Sequence, residues 1–86
     1  MRDSRRYEQF KRLMLVCGIL QSNAGWWSVS ELHAAYRDRV GSVSQKTIGR
    51  DLAFMEAVGI VECRSTACSY GFSRDYKWQG WPSALQ

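Results

Sequence analysis

The chain has 86 residues, with 12 Lys and Arg against 8 Asp and Glu, a net charge of +4 and a hydrophobic fraction of 45%. That length makes one domain with one small core and leaves no room for a second. The basic balance suits phosphate binding as well as it suits plain solubility. The charged N-terminal segment and the short apolar run over 13–20 argue against a secretory leader and a membrane span, so the expected location is cytoplasmic, at the nucleoid.

The first helix is expected over about 5–22. Ser4 is its N-cap, and Tyr7, Phe10, Leu13, Met14, Cys17 and Leu20 recur at helical spacing. Its other face carries Arg5, Arg6, Glu8, Lys11 and Arg12, a solvated run with phosphate contact as the alternative. The turn formers of 22–25 end it.

Trp26 to Ser28 is read as a short strand leading into the second helix. Ser28 and Glu31 have the spacing of a capping box, in which hydroxyl and carboxylate each satisfy an orphan backbone N–H. Leu32, Ala35 and Tyr36 face inward along this helix, which ends near Arg39. A turn over 40–43 follows, with Gly41 as its permissive residue and Val43 packing beneath the next helix.

The third helix is the clearest element. Ser44 caps it, Ile48, Leu52 and Met55 form its buried stripe with Val58 as a further candidate, and Gly59 closes it. A hairpin is then expected, with strands over 60–64 and 70–73 or slightly beyond and a loop over 65–69. Val61, Cys63, Tyr70 and Phe72 alternate as strand residues do. Tyr76, Trp78 and Trp81 are read as declining in order. Residues 1–78 thus make one domain and 79–86 a flexible tail. Three helices followed by a β-hairpin wing define an α+β winged helix-turn-helix.

That order of elements places a helix N-terminus where DNA would be read. The major groove admits one α-helix, and an entering N-terminus brings free N–H groups and a partial positive charge. Ser44 and Thr47 are assigned to phosphates, Gln45 and Lys46 to base edges, and Arg50 to a phosphate or guanine fork. Ser42, in the turn, completes the set, with Arg64, Ser65 and Thr66 at the expected hairpin tip. Asp51 would repel phosphate if exposed, so it is expected to hold Arg50 or a group on the second helix.

Catalysis finds no support. His33 has no carboxylate or nucleophile placed around it, and Gly41, Gly49 and Gly59 serve turns and helices rather than a phosphate cradle. With three cysteines and one histidine, neither a closed disulfide framework nor a metal site is expected, and no cofactor is implied. Cys63 and Cys68 are expected to face each other across the wing as reduced thiols. Four tryptophans exceed what a small core holds, so some should face a partner.

Over 43–52 the string VSQKTIGRDL resembles the DeoR-type winged helix-turn-helix, whose third helix reads V-S-x-x-T-I-x-R-D-L. The likeness extends to SVSEL over 28–32 and GIV over 59–61. Tyr70-Gly71-Phe72 and Tyr76-Lys77-Trp78 look like the end of the DNA-binding module of WYL-domain regulators, so the resemblance runs over about 8–78. It implies a bacterial or phage transcriptional regulator, usually a repressor, binding double-stranded operator DNA as a homodimer. Ser44, Gln45, Lys46, Thr47 and Arg50 inherit the contact role. Gly49 departs from the Arg or Gln of many relatives. The large C-terminal effector or oligomerisation domain of those families lies outside these 86 residues, so ligand sensing is not carried over. The alternative is a winged helix that binds protein, as an antirepressor or an inhibitor of a host factor.

Overall fold

The computed structural model describes residues 4–69 and 71–81, and of Ser4 the backbone alone. Helices α1 (Ser4–Ser22), α2 (Val29–Arg39) and α3 (Gln45–Val58) and strands β1 (Trp26–Ser28), β2 (Val61–Cys68) and β3 (Gly71–Trp78) follow in the order α1, β1, α2, α3, β2, β3. The three strands form one antiparallel sheet ordered β1-β3-β2. This is a winged-helix architecture. No helix among the described residues is long and apolar enough to cross a membrane.

Local signals account for the helix ends. At α2, the Ser28 hydroxyl accepts the Glu31 N–H at 3.0 Å and the Glu31 carboxylate accepts the Ser28 N–H at 2.8 Å, a complete capping box. At the end of α3, Gly59 takes φ 88°, which a side chain would resist, and the Ile60 N–H reaches back to the Met55 carbonyl at 2.9 Å. The helix therefore stops in a Schellman-type turn that aims the chain into β2.

The core joins Val16, Cys17, Ile19 and Leu20 of α1 to Leu32 and Tyr36 of α2, to Ile48, Leu52 and Met55 of α3, and to Ile60, Val61 and Tyr76 beneath. Val58, a candidate for the α3 stripe, is 41% exposed, because it falls on the same side of the helix as Phe54. On α1 only the C-terminal half enters the core. Tyr7, Phe10 and Met14 share the helical spacing but stay exposed, since α1 runs past the body it packs on.

The wing is longer than expected. β2 and β3 pair without interruption from Val61↔Trp78 to Cys68↔Gly71, so the loop expected over 65–69 is strand as far as Cys68. Ser65, Thr66 and Ala67 belong to β2. Their small side chains, two of them hydroxyls, imitate a loop because neither face of this stretch meets the core, and backbone pairing alone fixes it. Cys63 and Cys68 lie on the same strand, opposite Tyr76 and Gly71, and an odd separation turns their side chains to opposite faces. They do not face each other across the wing. Tyr76 and Trp78 are integral to β3, with Tyr76 buried and burial pushing its hydroxyl pKa up. Tyr70 and residues 82–86 lie outside the described residues. Within the expected tail, the N–H groups of Gln79 and Gly80 donate to the Ile60 carbonyl, and Trp81 meets Trp78 edge to face at 5.3 Å.

Candidate nucleic-acid interface

Three side-chain contacts set the position of α3. Arg12 of α1 forks onto Asp51 at 2.5 and 3.0 Å, and Asp51 is only 3% exposed. The fork raises the Arg12 guanidinium above its ordinary pKa, against the opposing pull of burial. Asp51 therefore binds neither Arg50 nor α2, and Arg12 does not belong to a solvated face. An ion pair reaching from α1 to α3 spans 39 residues, which no local pattern could reveal. At the entry to α3, His33 Nε2 lies 2.7 Å from the Val43 carbonyl, to which it must donate, so α2 holds the turn directly. Val43 packs against the core from this turn.

A chain of neighbours brings the candidate residues to one end of the molecule. Gln45 Nε2 donates to Ser30 Oγ at 3.3 Å, joining the first turns of α3 and α2. Ser28, the α2 cap, is in register with Asp75, and Asp75 accepts from Arg64 Nε at 3.2 Å across the wing. Two helix N-termini, each with a partial positive charge, thus sit beside the middle of the wing. Beyond Arg64 and Asp75 the wing continues for a further four residues per strand.

Individual side chains differ in what they are free to do. Lys46 and Arg50, one turn apart on the exposed face of α3, have no ion-pair or hydrogen-bond partner among the described residues. The Ser44 hydroxyl accepts the Thr47 N–H at 3.1 Å and lies 2.8 Å from the Thr47 hydroxyl. Of those two hydroxyls one donates to the other, leaving a single proton for an outside acceptor. Gln45 is engaged with Ser30 and must release it before pairing with a base. Ser42 is exposed in the turn. In the wing, Arg64 is held by Asp75 and stacks over the Trp26 ring at 4.4 Å, while Ser65 and Thr66 stand exposed in mid-strand, away from any tip.

Two cations escaped sequence reasoning. Arg74 stands exposed opposite Ser65, and Lys77 lies 5.8 Å from the Trp26 ring on the outer face of the sheet. Their signal would have been the strand alternation of 71–78, which the assumption of declining order concealed. Among the described residues no group of three potential metal ligands occurs.

No family model matches the chain, and no curated protein matches it. Among solved structures it is similar to FurB from M. tuberculosis, described as a zinc uptake regulator, with a TM-score of 0.72 at 20% identity. The likeness covers 86% of this chain and 55% of FurB, so the chain spans about half the length of that protein. At this identity the comparison supports the fold, and the DeoR-type resemblance rests on its motif alone.

Proposed function

We propose that the protein is a DNA-binding transcriptional regulator that presents the first turns of α3 to the major groove. The observation that carries this is the pair of unengaged cations, Lys46 and Arg50, on the exposed face of a helix whose other side is clamped to α1 and α2. Major-groove reading demands such a helix, rigid behind and unsatisfied in front. The winged-helix scaffold, the net charge of +4 and the DeoR-type motif agree with it.

In this mechanism Lys46 and Arg50 meet phosphate or guanine, and Gln45 exchanges Ser30 for a base edge. The remaining proton of the Ser44–Thr47 pair goes to a phosphate. Ser42 and the exposed wing residues Ser65 and Thr66 supply backbone contacts, while Arg64 contributes only by leaving Asp75. One such module buries about 600–1,000 Å² on DNA, modest for operator selectivity. Two copies on a palindromic site, acting by occupying a promoter, therefore complete the proposal. Selection from random duplex DNA across a salt series tests it. The expected result is an enriched palindrome whose binding weakens steeply as salt rises; weak binding without enrichment would overturn it.

A further inference from the structure

The side of α3 that carries Phe54 and Val58 faces the projecting half of α1, and an apolar groove lies between them. Its walls are Phe10 and Met14 of α1, Phe54 of α3 and Trp81, and its floor is Leu13 and Met55. Phe10 is 67% exposed and Phe54 51%, with Tyr7 one turn before Phe10 also open to solvent. Aromatic side chains carry about 150–250 Å² each, so these four leave on the order of 400 Å² of aromatic surface exposed. That equals the largest apolar patch of a typical monomer, and such patches mark interaction sites. It falls well short of the roughly 800 Å² per partner in a standard interface between globular proteins. A single amphipathic helix laid into the groove matches it better.

Charge decides the kind of helix. Arg6 lies one turn from Phe10, and Lys11 one turn from both Tyr7 and Met14. Among the described residues no free carboxylate is so placed: Glu8 and Glu56 point to other sides of their helices, and Asp51 is taken up by Arg12. A second copy docked here would bring the same cations to its own rim. We infer that this groove binds an acidic amphipathic helix of a partner protein, its apolar stripe between Phe10 and Phe54 and its carboxylates on Arg6 and Lys11. This surface is separate from the Lys46 end of α3, so the inference goes beyond the DNA-binding proposal.

The test uses the full chain and a displayed library of peptides of about 20 residues, long enough to be helical. Apolar residues are fixed at i, i+3 and i+7, and the flanking positions are randomised between Glu and Lys. Glu-flanked peptides should be enriched at least tenfold over Lys-flanked ones. Phe10→Glu, at an exposed site that leaves the core intact, should abolish binding, and the double variant Arg6→Glu/Lys11→Glu should reverse the preference. Binding to a selected DNA duplex, measured on the same variants, should survive Phe10→Glu. Enrichment without charge preference would overturn the inference. So would sedimentation showing a wild-type dimer that Phe10→Glu makes monomeric, which would assign the groove to a second copy.

Discussion

Helix α3 and the wing lie at the same end of the molecule but are held in opposite ways. α3 is fixed from behind by Arg12–Asp51, by His33 on the Val43 carbonyl and by the buried side chains of Ile48, Leu52 and Met55. The distal wing, beyond Arg64 and Asp75, is held by its backbone ladder, with Phe72 80% exposed. Precise recognition needs side chains whose supports do not move, which is why the proposal gives base reading to α3. The wing suits contacts that tolerate bending.

The most severe way to break this contrast is to remove the clamp. Arg12→Ala leaves the Asp51 carboxylate buried without its partner, and should destabilise the fold by about 3 kcal/mol. For a domain of this size that lowers Tm by roughly 15 °C in a calorimetric scan. Arg12→Met combined with Asp51→Leu should recover most of the loss, because an apolar pair of similar volume needs no charge compensation. A Tm unchanged in Arg12→Ala would show that α3 is positioned by packing alone.

Smaller changes sharpen the comparison. Ser44→Ala removes the cap of α3 and should cost about 1 kcal/mol in denaturant titrations. Gly49→Ala should stabilise by about 0.5–1 kcal/mol, since a Cβ there meets only Val29 Cγ1, at an ordinary 3.9 Å. Weakened DNA binding by this more stable variant would reveal that the duplex backbone approaches Gly49. Phe72→Ser in the wing should move stability by less than about 0.5 kcal/mol; a larger loss would mean that the distal wing packs on something.

Legibility in the sequence followed the same division. α2 and α3 were readable because their signals are local: a Ser28–Glu31 box, a Ser44 cap, an apolar period and a closing Gly59. The wing was misread because serine and threonine pairing across two exposed faces look like loop residues, and strand pairing is a long-range property. The Arg12–Asp51 clamp was invisible for the same reason, and Arg12 was consequently grouped with its exposed neighbours. Among the candidate contacts, Lys46 and Arg50 have no partner among the described residues, Arg50 because the Asp51 carboxylate expected to hold it is taken by Arg12. Ser44 and Thr47 show a subtler effect: the spacing that makes a good cap also occupies the hydroxyls assigned to phosphate.

Equilibrium binding to one selected duplex, followed over a range of salt for the wild type and for the Lys46→Ala/Arg50→Ala variant, tests the central claim most directly. The account predicts at least a tenfold loss of affinity and a salt slope lower by about one for each of the two cations that neutralises a phosphate, with helical content preserved. Wild-type affinity and slope in the variant would contradict it, and would move the functional surface away from the exposed face of α3.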